Sequence, residues 1–118
     1  MSSSMGGCVF CGLVSKLLPA RVILEDDEVL AFDDIRPQAP IHALLIPKRH
    51  LASLNEADEG AQALLGRLLL KAREVARLKG VEQSGYRVVI NAGPDSGQDV
   101  FHLHVHILGG RRMSWPPG

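Results

Sequence analysis

The run FHLHVHIL at positions 101–108 constrains this chain more than any other stretch. Apolar residues and histidines alternate strictly along it. Successive side chains of a β-strand point to opposite faces, so a strand is the conformation that sorts this pattern. Phe101, Leu103, Val105 and Ile107 then share a face that belongs in the core. His102, His104 and His106 share the other, roughly 6.5–7 Å apart at a rise of about 3.3 Å per residue. A solvated face would normally mix Thr, Lys, Glu and Ser. Three imidazoles in a row point to chemistry instead: a nucleophile, a general acid or base near neutral pH, or a metal ligand. The loop AGPDSGQ (92–98) precedes the strand. Its glycines let backbone N–H groups converge on an anion such as a phosphate.

The other elements follow from periodicity and turn chemistry. FCGLVSKLL (10–18) has apolar residues at helical spacing and is stopped by Pro19. RVILED (21–26) and EVLAFDD (28–34) read as a hairpin turning at Asp26–Asp27. The prolines of IRPQAP (35–40) predict a loop. HALLIP (42–47) is a third strand, YRVVIN (86–91) a fourth and Val100–Leu108 a fifth. A long helix is predicted from Glu56 to Lys79, capped by Asn55 and stopped by Gly80. Its stripe of Leu64, Leu65, Leu68, Leu69, Ala72, Val75 and Ala76, widened by Leu70 and Leu78, is broad enough for part of it to bury against a second subunit. The expected fold is α+β: a single antiparallel sheet of about five strands with one long and one short helix, the helices on one side.

Composition sets the outer limits. A length of 118 residues fits one domain. Residues 1–5 are expected to be a disordered lead and 111–118 a tail. Lys and Arg number 13, as do Asp and Glu, so the formal charge is zero and no binding of nucleic acid is expected. No apolar stretch approaches the ~18 residues of a membrane span. MSSSMGG lacks a basic region followed by an apolar one, so no secretory signal is expected. The only cysteines, Cys8 and Cys11, exclude a disulfide framework, and a reducing, cytoplasmic setting is expected. Their C-x-x-C spacing admits a redox pair, two incidental small hydrophobes, or half of a tetrahedral zinc site, for which His50 and His102 are available partners.

HLHVHIL has the form His-φ-His-φ-His-φ-φ, with φ apolar, and resembles the motif of the histidine triad (HIT) family of nucleotide hydrolases and transferases. EDDEVLAFDDIRPQAPIHALLIPKRH (25–50) and GGRRMSWPPG (109–118) resemble its Hint branch, the purine nucleoside phosphoramidases. The resemblance implies catalytic roles for the cluster His42, His102, His104 and His106. His104 would attack the α-phosphorus and form a nucleotidyl-histidine, His106 would contact the phosphate, and His42 would support them. It further implies a base pocket from Val9, Phe10, Leu13, Phe32 and Ile35, with Asp34 on the ribose and Asn91 facing ribose or phosphate. Gly97, Gln98 and Asp99 would form a phosphate loop. Asp99 departs from the Ser or Thr of many relatives, and a carboxylate near an anion is unfavourable unless protonated or turned away. It could favour a cationic leaving group.

The resemblance also implies a structural zinc on Cys8, Cys11, His50 and His102, no catalytic cofactor, and a homodimer whose tail, with Trp115, reaches the partner's site. The expected activity is cleavage of the P–N bond of purine nucleoside 5′-phosphoramidates. Dinucleoside polyphosphates and aminoacyl-adenylates are alternative substrates, and a nucleotide-binding interaction protein with incidental activity is the alternative of another class. A metal hydrolase built on the triad is disfavoured because no carboxylate accompanies it in sequence.

Overall fold

The computed structural model describes residues 8–118, so the expected lead at 1–5 lies outside the described residues. The elements are α1 (Val9–Val14), β1 (Val22–Glu25), β2 (Val29–Asp33), β3 (Ile41–Pro47), α2 (Gln62–Leu78), β4 (Tyr86–Val89) and β5 (Val105–Gly109). The five strands form one sheet in the order β1-β2-β3-β5-β4, every neighbouring pair antiparallel. The β1–β2 hairpin turns where expected. There Asp26 Oδ1 accepts the backbone N–H groups of Glu28 and Val29 at 2.8 and 2.9 Å, a local turn that a short carboxylate favours.

The two sheet faces separate core from site. Val29, Ala31, Ala43, Leu45, Val105 and Ile107 meet Leu68, Ala72, Val75 and Ala76 of α2 on one face. The alternate residues Leu30, Phe32, Leu44 and Ile46 meet Phe10 of α1 on the other. The helices therefore lie on opposite faces, not on one side as expected. Periodicity identifies each helix's apolar stripe but says nothing of which side of the sheet receives it.

Three boundaries also differ from expectation. α1 ends at Val14, not at residue 18. Lys16 adopts a φ of 67°, and the N–H groups of Leu17 and Leu18 both turn back to the Gly12 carbonyl. α2 begins at Gln62 rather than Glu56, and Asn55 caps nothing. Ser53 and Asp58 each open a short 3-10 turn, over Leu54–Glu56 and Glu59–Ala61, by accepting N–H groups two residues on. Such side chains offer the backbone an alternative to the helix. The C-terminal stop is at Gly80, whose φ of 76° suits a residue without Cβ. β5 begins at Val105, not at residue 100, because the Leu103 N–H donates to the Leu51 carbonyl instead of to a strand. Phe101 is consequently 64% exposed and not part of the core.

Candidate active site and metal cluster

The register of β3 on β5 assembles the histidines. Leu44 lies opposite His106 and His42 opposite Leu108, so His42 and His106 are diagonal neighbours on one face. The His42 and His106 ring centroids are 5.1 Å apart, and those of His104 and His106 5.0 Å. His102 and His104 lie just before β5 and are buried, as is His42. Phe10 stands edge-on to the His102 and His104 rings at 5.9 and 5.2 Å.

Hydrogen bonding assigns a tautomer to each ring, because a backbone N–H can only donate and a carbonyl can only accept. The Gln38 N–H donates to His42 Nδ1 at 3.0 Å, so the proton of neutral His42 is on Nε2. His42 Nε2–H then donates to His106 Nδ1 at 2.8 Å, which leaves His106 with an Nε2–H donor. His104 Nδ1–H donates to the His102 carbonyl at 2.7 Å. Its Nε2 therefore carries a lone pair rather than a proton. The result is one nucleophilic nitrogen beside one N–H donor, with no further proton movement needed to arm either.

Burial favours the neutral form of His42 and His106. It pushes His106 down to about 4, with the neighbouring His104 and His42 adding to the effect. It also lowers His42, against the opposing pull of Asp34. Asp34 Oδ2 is 3.4 Å from His42 Nε2, and Asp34 Oδ1 accepts the Arg36 N–H at 2.8 Å. Asp34, His42 and His106 lie close enough to suggest a ligand set. The single hydrogen on His42 Nε2 goes to His106 Nδ1, so the two rings are a hydrogen-bonded pair with the Asp34 carboxylate beside them.

These groups open on a cleft of 1080 Å³. Val9, Phe10, Leu13, Phe32, Asp34, Ile35, Asp99, His42, His104 and His106 line it. Asn91, Gly97, Gln98 and Trp115 do not. Gln98 faces inward: its Oε1 accepts the Gly93 N–H at 3.0 Å, and its Nε2 donates to the Ala52 carbonyl at 2.8 Å. It braces the loop from within. Trp115 is 80% exposed beside Arg87, whose guanidinium carbon is 5.9 Å from the ring centroid. The structure adds two residues that sequence reasoning missed. Leu44 faces the cleft through its pairing with His106, and Gln38 acts through its backbone.

The second cluster joins Cys8, Cys11, His50 and His102 and could hold a metal ion. His102 Nε2–H donates to the Pro47 carbonyl at 2.8 Å, freeing Nδ1 as a ligand. Nδ1 lies 3.4 and 3.6 Å from the sulfurs of Cys8 and Cys11 and 3.2 Å from His50 Nδ1. Cys11 Sγ is 3.2 Å from His50 Nδ1. A tetrahedral ion with N and S ligands requires edges of about 3.3 Å (N–N) and about 3.6 Å (S–N). Two imidazoles and two thiols at these spacings fit such an ion, and the carbonyl behind His102 is the usual outer support of a ligating histidine. Without metal, burial and then the neighbouring Cys8 push the Cys11 thiol up to about 11.

An antiparallel five-stranded sheet carrying a histidine chain at a cleft defines the class, and comparison with known proteins gives the family. The HIT domain matches residues 15–113. The HIT-like protein slr1234 of Synechocystis sp. is 54% identical, covering 93% of this chain and 96% of its own length. Adenylylsulfatase HINT1 of Arabidopsis thaliana is 51% identical over 93% of this chain and 76% of its own length. A HIT family hydrolase from Legionella pneumophila superposes with a TM-score of 0.92 at 46% identity, over 95% of this chain and all of that one. A Zn-bound histidine triad family protein from Mycobacterium smegmatis gives 0.76 at 33%, over 97% and 81%. The chain belongs to the histidine triad family. Its relatives support a hydrolase of the Hint type.

Proposed function

We propose that the protein hydrolyses purine nucleoside 5′-phosphoramidates of the AMP–amine type through a nucleotidyl-histidine on His104. One observation carries this reading: the His104 Nδ1–H is tied to the His102 carbonyl, which leaves Nε2 a free lone pair in a ring lining the cleft. Nε2 attacks the α-phosphorus and the P–N bond breaks. The leaving nitrogen takes a proton from solvent and departs as the amine. Water then attacks the phosphorus, the bond to Nε2 breaks, and the nucleoside monophosphate leaves with the water's oxygen while its proton returns to solvent. Splitting one displacement into two suits imidazole, which is both nucleophile and leaving group. His106 Nε2–H, polarised by His42 behind it, donates to the phosphoryl oxygens as their charge shifts. Val9, Phe10, Leu13, Phe32 and Ile35 take the base and Asp34 the ribose hydroxyls.

The name of the Arabidopsis relative supports a second leaving group, the sulfate of an adenylyl sulfate. Attack at phosphorus is the same in both. Asp99 lines the cleft and its charge reaches His106, which favours a cationic amine over an anionic sulfate. An Asp99→Ser variant that hydrolyses cationic and neutral amidates in the wild-type ratio would remove this preference.

Zinc is the ion proposed for the Cys8–Cys11–His50–His102 cluster, because thiolate and imidazole in tetrahedral array suit it and the Mycobacterium relative is Zn-bound. There it cross-links α1 to the ends of β3 and of the histidine segment and takes no part at phosphorus. A cytoplasmic homodimer completes the proposal. Leu69 and Leu70 of α2, 56% and 66% exposed, offer an apolar surface to a second copy. Turnover of an adenosine phosphoramidate, followed by release of AMP and amine, tests the activity. A wild-type protein that releases neither contradicts it.

A further inference from the structure

Cleft and metal cluster meet on one short helix. α1 has six residues and is capped by Cys8, whose sulfur accepts the Cys11 N–H at 3.3 Å. Cys8 and Cys11 belong to the cluster, while Val9, Phe10 and Leu13 line the cleft. A helix this short has no stability of its own, so its orientation is set by what anchors it. Phe10 lies between the two cysteines and is 6% exposed. Its ring stands edge-on to Phe32 at 5.7 Å, to the cluster residue His102 and to the proposed nucleophile His104. A single side chain thus touches a cluster residue, the proposed nucleophile and a second aromatic of the cleft lining.

We propose that Phe10 is a positioning residue that couples the Cys8–Cys11–His50–His102 cluster to the cleft, so that metal binding and nucleotide binding strengthen one another. This rests on the reading of the cleft as a nucleotide site. Ligation at Cys8 and Cys11 fixes the segment on either side of Phe10 and with it the angle of the base-binding wall. A nucleotide packed against Val9, Phe10 and Leu13 in turn restrains the segment that carries the two sulfurs. Coupling of this kind is reciprocal: the factor by which zinc raises nucleotide affinity equals the factor by which nucleotide raises zinc affinity.

The test measures zinc affinity of the full chain by competition with a chromogenic chelator, with and without saturating AMP. AMP should raise zinc affinity by about fivefold or more, the lower end of typical coupling between sites. Calorimetry should show AMP binding weakened by the same factor after zinc is stripped. Phe10→Leu leaves all four ligands in place and keeps an apolar side chain in the wall. It should bind one zinc and bind AMP more weakly, since Phe10 belongs to the base wall, and at saturating AMP the gain in zinc affinity should fall below about twofold. Zinc affinity indifferent to AMP in the wild-type protein overturns the coupling, and full coupling retained in Phe10→Leu overturns the role of Phe10. If AMP does not bind at all, the nucleotide reading falls together with the coupling. AMP binding without effect on zinc removes the coupling alone.

Discussion

His42 Nε2–H donates to His106 Nδ1 at 2.8 Å, and this bond makes the second ring a fixed donor toward the cleft. Its direction originates outside the histidines. The Gln38 N–H occupies His42 Nδ1, and Gln38's own carbonyl accepts from Arg111 at 3.1 Å. The loop between β2 and β3 thereby sets the proton inventory of a strand it does not pair with.

Removing either ring should slow phosphoryl transfer without preventing attack. His106→Ala deletes the donor itself and should lower kcat by about 10²-fold, the scale of one lost transition-state donor. His42→Ala acts through His106 and should cost less, about tenfold, with KM little changed. Steady-state kinetics on an adenosine phosphoramidate provide the check. A raised KM with kcat unchanged for His42→Ala would mean that His42 supports binding rather than the donor.

Acid should destabilise the fold in a defined window. His106 is held down to about 4 in the native state against 6.5 in an unfolded chain, and His42 is lowered as well. Between those values the unfolded chain binds protons that the native one refuses. Stability therefore falls as pH drops from about 6.5 toward about 4, by up to ~1.4 kcal/mol per pH unit for each proton taken up. Above about 6.5 these two residues contribute no slope. Urea midpoints across the window measure the fall, and His106→Asn should reduce it. A midpoint unchanged across the window would contradict the neutral chain.

Metal removal should loosen the molecule. Cys11→Ser should abolish stoichiometric zinc and lower Tm by about 10 °C or more, given what a ligand far above its Kd adds to stability. Elemental analysis and thermal melts with and without chelator measure both. A melt insensitive to chelator, or less than about 0.1 equivalent of metal in protein purified without chelator, would exclude a structural ion.

Much of this was legible in the sequence, for identifiable reasons. Strict alternation marks β5 and its core face at Val105 and Ile107, and an Asp-rich break marks the first hairpin. Alternation fails at Phe101 because residues before Val105 leave the sheet, and no local pattern announces where a partner strand ends. The opposite placement of α1 and α2 depends on which face of the sheet each meets, a long-range property. Cys8 and Cys11 are visible as a spaced pair, whereas His50 and His102 join them only through the family resemblance. Gln38 acts through a peptide N–H, which every residue but proline possesses, so its side chain carries no signal of that role.

The two faces of α2 should respond differently to truncation. Leu68 is 2% exposed in the core, and Leu68→Ala should cost about 2–5 kcal/mol. Leu70 is 66% exposed, and Leu70→Ala should change the stability of a monomer by no more than about 0.5 kcal/mol. In a dimer closed through this face, Leu70→Glu should instead lower the sedimenting mass from two chains to one. A wild-type protein that sediments as a single chain at micromolar concentration would contradict the homodimer.

The covalent intermediate is the most direct test of the account. Protein mixed with an adenosine phosphoramidate, quenched within one turnover and weighed intact, should show a mass increase of one AMP, and peptide mapping should place it on His104. His104→Ala should show neither adduct nor turnover. Turnover without an adduct, or an adduct retained in His104→Ala, would contradict the assignment of His104 Nε2 as the nucleophile.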